Sequence, residues 1–424
     1  MDLMRVNLKS SLAGALAAGL MLAGLSGQAL ALSDEYETPP EQTPGAILEG
    51  VEAGAGYQVE TPVRSDGFMR LYDIRTAAGT EHLSGDGLAK LRIRELQVLH
   101  VLEGLETQKT FLDGLTEAAK QPANFVESTV TDPIGTAKST VSGVGRLFSR
   151  IGKGVEEAVT GKGGSATDLA RSITGQARAR RELALKLGVD PYTTYPPLSA
   201  KLDQAATVST AGNLSVSAIM ALIPGGIVTS ALSGADNMRT LIVDSTRNEL
   251  EQRAVAVLRD LRISDDVIVE LARNNNYTPT ERVVLAYQLQ SLSSLEGLQL
   301  LAAKAASAQT RDEAYFQLRR IVLTRYYNEK VASLGSIRMV ADFPIALRRD
   351  GAAALVLPLD MVAWTEETAS AFVHLNEGLK ALPFPPDGAD FLITGDITPM
   401  AAERIASLGW QITADMPMPE GPVF

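Results

Sequence analysis

The chain has 424 residues, with 39 Lys and Arg against 50 Asp and Glu, three His and no Cys. At 45% hydrophobic and 21% charged it has the composition of a globular protein with apolar residues enough for more than one core. The absence of Cys excludes disulfides, thiolate nucleophiles and Cys-bound metal, three scattered His argue against a multi-His metal site, and a net charge of −11 argues against general nucleic-acid binding.

Residues 1–31 read as a secretory signal. Arg5 and Lys9 precede an uncharged run from Ser10 to Ser33, and Ala29-Leu30-Ala31 supplies a small-x-small cleavage site after Ala31. The competing reading is an uncleaved anchor, since 24 uncharged residues are long enough to span a bilayer. Either way the chain is expected to leave the cytoplasm, for the periplasm or the outside of the cell. Residues 32–56 are acidic and rich in Pro and Gly, and read as a flexible lead.

Residues 57–122 are expected to form a small β-hairpin unit with helices. Tyr57 to Val63 and Phe68 to Thr76 have strand character, with Ser65-Asp66-Gly67 as the turn. Leu88, Leu91, Val98, Leu102 and Leu105 then recur at helical spacing, and a second helix is expected from Phe111 to Lys120.

Residues 123–200 are Gly-rich and basic, and end in the loop from Asp190 to Pro197. Val141, Val144, Phe148, Ile151, Val155 and Val159 fall in one helical stripe, with Lys138, Arg146, Arg150 and Lys153 on the other side. From 136 to 186 there are ten Lys and Arg against four acids, a local excess of +6 in an acidic chain. That pattern suits a helix lying on an anionic membrane surface or against an envelope protein. Gly143, Gly145, Gly152 and Gly154 weaken such a helix in water by about 1 kcal/mol each. The alternative is a Gly-rich helix packed on another helix with its basic face solvated.

Residues 201–334 are expected to be a helical domain. Residues 204–235 carry no charge, and Pro224-Gly225-Gly226 breaks them into two short halves. The expectation is a buried hairpin; the alternative is a hairpin that inserts conditionally into a bilayer. Thr278-Pro279-Thr280-Glu281 is a helix start after the Asn274-Asn275-Asn276 stop, and Thr310 to Leu334 is a further long helix.

Residues 335–415 read as a small α/β domain, followed by a tail, 416–424. Strands are expected at Ile337 to Phe343, Ala353 to Leu359, Phe391 to Thr394 and Trp410 to Thr413, with helices capped by Thr365 and Thr398 between them. Three strands run into Asp342, Asp360 and Asp396. Carboxylates at the ends of parallel strands are a place for Mg²⁺ and metal-dependent hydrolysis. His82, His100 and His374 suggest no triad, no G-x-S-x-G elbow occurs after the signal, and the Gly-Lys pairs at 152–153 and 161–162 lack the spacing of a phosphate-binding loop.

The expected fold class is therefore α+β and predominantly α-helical: an N-terminal β-hairpin and helix unit, a central helical domain, and a small C-terminal α/β domain. The expected function is that of an exported non-enzymatic protein, associated with a membrane or envelope partner through Val141, Val144, Arg146, Phe148, Arg150, Ile151, Lys153 and Val155. The metal-dependent hydrolase and the membrane-inserting effector are the alternatives.

Overall fold

The structure is a computed structural model that describes residues 35–120, 164–211, 214–223, 236–419 and 421. The signal, the stripe from Val141 to Val159 and the Pro224-Gly225-Gly226 break lie outside the described residues. The chain is α+β, with N-terminal strands, a helical middle and a C-terminal sheet. In chain order, helix α1 (Pro44–Leu48) precedes strands β1 (Ala53–Gly54), β2 (Tyr57–Val59), β3 (Arg64–Ser65), β4 (Arg70–Thr76) and β5 (Gly79–Ser84). The helices α2 (Asp86–Leu105), α3 (Lys109–Lys120), α4 (Gly164–Lys186), α5 (Pro196–Ala211), α6 (Val216–Ala221), α7 (Asp236–Asp244) and α8 (Arg247–Asp260) follow. After them come α9 (Asp265–Arg273), α10 (Pro279–Gln290), α11 (Gln299–Ala306) and α12 (Arg311–Lys330). The last part alternates: β6 (Leu334–Val340), β7 (Phe343–Arg348), β8 (Ala353–Leu357), β9 (Met361–Val362), α13 (Glu366–Lys380), β10 (Ala389–Ile393), β11 (Asp396–Ile397), α14 (Pro399–Ser407) and β12 (Trp410–Thr413).

Two compact units emerge, and their boundary differs from the one expected from sequence. The first gathers the N-terminal strands up to Lys90, residues Ser291–Lys304 and Gln309–Pro419; the second holds Leu91–Gln290 with Ala305–Ala308. Thus the N-terminal β-hairpin piece and the C-terminal α/β piece, far apart in sequence, share one unit. Composition and periodicity do not report pairing over nearly 300 residues, which is why the sequence divides them.

In the first unit β12, β10 and β8 are parallel, and β7 and β6 continue the sheet antiparallel, in the order β12-β10-β8-β7-β6. All five residues of β8 are buried, the pattern of a strand covered on both faces. Trp364, Phe372, Phe391 and Trp410 are core residues, and Phe372 meets Phe391 and Trp410 edge-on at 4.9 and 5.5 Å. Each such pair adds about 0.5–1.5 kcal/mol beyond area burial. The expected strand from Ile337 to Phe343 is instead broken. Ala341 and Asp342 both have positive φ, 47° and 60°, and turn β6 into β7 as a hairpin. Two-residue hairpin turns of this kind favour Asn-Gly or Asp-Gly, so Ala-Asp gave no turn signal.

The N-terminal strands form an antiparallel sheet in which β4 pairs with β2 and β3 along one edge and with β5 along the other. This sheet docks on the ends of the parallel strands. Asp360 and Met361 donate their N–H groups to the Phe68 carbonyl at 3.1 and 3.2 Å, and Ala363 N–H reaches the Gly67 carbonyl. Upstream, Glu37 N–H donates to the Trp364 carbonyl, and its carboxylate accepts from Trp364 N–H (2.6 Å) and the Thr398 hydroxyl.

The second unit is helical. The capping box at Thr278 and Glu281 forms as expected: Glu281 N–H donates to Thr278 Oγ1 (3.1 Å) and Thr278 N–H to Glu281 Oε2 (2.9 Å). The loop before α5 is pinned by Asp190, which is fully enclosed. It accepts hydrogen bonds from Tyr192 N–H (2.8 Å), Thr278 Oγ1 (2.5 Å) and Thr280 Oγ1 (2.8 Å). Among the described residues no helix is long and apolar enough to cross a membrane.

Candidate functional site

The carboxyl ends of β8 and β10 are where a ligand would be sought in an α/β sheet. Here that edge is built around Arg70, the first residue of β4 and one the sequence did not single out. Arg70 is 5% exposed. Its Nη1 donates to Asp86 Oδ2 (2.6 Å), its Nη2 to Asp396 Oδ2 (2.5 Å) and its Nε to Gln42 Oε1 (2.6 Å). Every nitrogen of the guanidinium is therefore engaged by the chain itself. Tyr72, two residues on along the same face of β4, donates its hydroxyl to Asp86 Oδ1 at 2.6 Å. Asp86 begins α2, where a carboxylate is also favoured by the helix dipole.

Asp360 lies beneath this pair, 2% exposed. Its Oδ2 accepts the backbone N–H groups of both Arg70 (3.2 Å) and Asp86 (2.9 Å). Burial, reinforced by the Asp86 charge and opposed by Arg319 and those two N–H groups, pushes the Asp360 carboxyl up to about 7. Burial alone would lower the Arg70 guanidinium, but Asp86 and Asp360 outweigh it and hold it above its ordinary value. Burial and the Asp86 charge push the Tyr72 hydroxyl well up, so it stays a donor. Two glycines make room for the arrangement. A Cβ on Gly395 would come 2.1 Å from the Asp360 carbonyl oxygen, and one on Gly87 would meet the Arg319 guanidinium at 2.7 Å.

Of the three expected metal ligands, Asp360 and Asp396 converge on Arg70 and Asp342 does not. Asp342 is exposed on the β6–β7 turn, with β7 between its own strand and β8, and its charge acts on Lys304. Among the described residues no three His, Cys, Asp or Glu side chains are placed to hold one metal ion. At this edge the Arg70 guanidinium stands between Asp86 and Asp396.

His82 and His100 are exposed and His374 is half-buried. His82 Nδ1 is 2.5 Å from Asp73 Oδ1 across the β4–β5 pair, and His374 Nδ1 is 2.7 Å from the Ser370 carbonyl one turn back on α13. His100 is exposed on α2.

The basic stretch divides. Its members Val141, Val144, Arg146, Phe148, Arg150, Ile151, Lys153 and Val155 lie outside the described residues. Further along, the side chains of four of the ten cations between 136 and 186 are described, and each is paired within the chain. Arg178 pairs with Asp244 at 2.8 Å, and Arg180 holds the Pro191 and Ser199 carbonyls and Asp203. Arg181 is buried and donates to the Val243 carbonyl, and Lys186 pairs with Glu182. Sequence reads these cations as a solvated face because their partners come from distant turns. An open depression of about 340 Å³ lies beside α7 and the start of α8, lined by Asn237, Asp244, Glu249 and Arg253 among others. Glu249 is already used there in the cap of α8, which leaves little unassigned chemistry.

In comparisons with known proteins, no family model, no curated protein and no solved structure matches the chain.

Proposed function

We propose that the protein is exported and non-enzymatic, and that it associates peripherally with an anionic membrane surface or an envelope partner through the stretch from Lys138 to Val159. The observation that carries the non-enzymatic half is the strand-end edge, where Arg70 and Asp360 are buried and the half-exposed Asp396 is paired with Arg70. Where an α/β enzyme keeps reactive groups open to substrate, this chain commits Arg70, Asp86, Asp360 and Asp396 to one another. Three of the five N–H groups of the Arg70 guanidinium are taken up by the chain itself, the residue is 5% exposed, and a carboxyl that is 2% exposed offers no proton to a substrate.

The association half rests on the sequence. With Arg178, Arg180, Arg181 and Lys186 used internally, Lys138, Arg146, Arg150, Lys153, Lys162 and Arg171 stand against Glu156, Glu157 and Asp168, an excess of +3. Each cation close to an anionic bilayer contributes about 1 kcal/mol, and the apolar stripe adds burial. The uncharged run behind Arg5 and Lys9 supports export.

The test is co-sedimentation of the full chain with phosphatidylglycerol-containing vesicles at low and high salt. The wild type binds at low salt and is released as salt screens the attraction. The double variant Arg146→Glu/Arg150→Glu binds at least about tenfold more weakly. Equal binding of the two proteins removes the lipid-surface reading.

A further inference from the structure

We propose that Arg320 and Lys304 form a site for a small oxyanion of the phosphate type, covered by the tip of the β6–β7 hairpin. The site stands apart from the proposed function and uses none of the basic stretch.

Arg320 lies in the middle of α12 and is 3% exposed. Its Nη2 donates to the Pro344 carbonyl, and the guanidinium lies 4.1 Å from the centre of the Phe343 ring. Its Nη1 is buried and has no hydrogen-bond partner. Arg70 and Arg282, similarly buried, each meet a carboxylate. Among the described residues no carboxylate pairs with Arg320: burial lowers its guanidinium and no neighbouring acid raises it again. A buried cation served by one carbonyl and one ring face keeps most of its charge unmet, and an orphan N–H has lost its water without replacement. Such a group points to a ligand that the chain itself does not supply.

Lys304, near the end of α11, supplies a second cation. Burial and then the Arg320 charge lower the Lys304 ammonium, opposed by Glu313 and Asp342. Those two acids offset part of the Lys304 charge and none of the Arg320 charge. The two cations thus come from two helices of one unit, each within range of the other's field. The class of ligand follows from the donors. A guanidinium N–H and an ammonium are both strong partners for phosphate oxygens, and a phosphate ion carries charge enough for both.

The cover is free to move without breaking the rungs to β8. The β6–β7 ladder runs to Val340 and Phe343, but β7 pairs with β8 only at Ala346 and Leu347. Phe343 and Pro344, which cover Arg320, therefore lie beyond the last rung to β8. The turn that joins them to β6 holds Ala341 and Asp342 in the left-handed region, which stores strain in the tip. A shift of the tip opens Nη1 to an entering anion, and the Pro344 carbonyl is the contact given up.

Both tryptophans, Trp364 and Trp410, are buried in this unit, so their fluorescence reads it alone. Urea unfolding of the full chain at pH 7 is compared in sodium phosphate and in sodium chloride of equal ionic strength. Phosphate also strengthens burial in proteins generally, so Arg320→Met, an unbranched side chain without the charge, sets the baseline. The expected result is a wild-type unfolding constant that falls, with saturation, by at least about tenfold at about 20 mM phosphate, while Arg320→Met shows only the general effect. Equal responses of the two proteins overturn the proposal. Should Arg320→Met not fold, calorimetric titration with phosphate decides: one saturable site is expected in the wild type, and binding at least about tenfold weaker in Lys304→Gln. No saturable heat in the wild type, or unchanged binding in Lys304→Gln, overturns the proposal equally.

Discussion

Each unit of this protein buries an aspartate, and the two are accommodated by different means. Asp360, in the α/β unit, accepts only backbone N–H groups on the Oδ2 side and sits among full charges, with Arg70 and Arg319 on one side and Asp86 on the other. Asp190, in the helical unit, is surrounded by neutral donors, Thr278, Thr280 and Tyr192 N–H, and its nearest charge is the carboxylate of Glu281. Both are raised, in each case by burial first and a neighbouring carboxylate second. Neutral hydroxyls secure a loop without bringing charge into the interior. A guanidinium joins more elements at once, but its removal strands every carboxylate it served. The first arrangement suits a loop clamp, and the second suits a junction between two sheets.

Removing the guanidinium is the most severe way to break that contrast. Arg70→Met leaves the largely buried Asp86 without its cation beside Asp360, while the half-exposed Asp396 turns to water, and is expected to cost about 3 kcal/mol, read as a fall of the urea midpoint by tryptophan fluorescence. Loss of less than about 1 kcal/mol would mean that water reaches Asp86 as it reaches Asp396. The hydroxyl clamp is expected to yield less. Thr278→Val removes one donor from Asp190 and one acceptor from the α10 cap, and is expected to cost about 1–3 kcal/mol by far-UV circular dichroism. The loss is expected to deepen as pH rises, because the folded state then holds a still more strongly raised carboxyl whose proton is given up on ionisation. A cost that is the same at pH 5 and pH 8 would place Asp190 permanently in one ionisation state.

What was legible in the sequence follows the range of the interactions. The caps at Thr278, Thr365 and Thr398 are readable because donor and acceptor lie three residues apart, and each forms as expected. The long buried helix from Thr310 and the parallel strands are readable from periodicity and from runs of apolar residues. The β6–β7 turn is not, because Ala341-Asp342 carries neither Gly nor Asn. Arg70 is not readable either, since its partner Asp396 lies 326 residues away and its own neighbours, Phe68, Met69, Leu71 and Tyr72, show only a strand. Asp360 and Asp396 do stand out as carboxylates at strand ends, and a buried carboxylate requires a cation or a proton. The sequence alone suggests a metal as readily as a distant arginine. Similarly, Arg180 and Arg181 read as part of a basic face, although both are turned to carbonyls contributed by other turns.

The central claim is that the chain's own arginine occupies the strand-end edge between Asp86 and Asp396. Titration of the full-length protein with Mg²⁺, followed by calorimetry and by tryptophan fluorescence at pH 7, tests it most directly. No saturable heat and no change in emission up to millimolar Mg²⁺ is the expected result. A one-site isotherm that disappears in Asp396→Asn would contradict the account and return the edge to the chemistry of divalent metals.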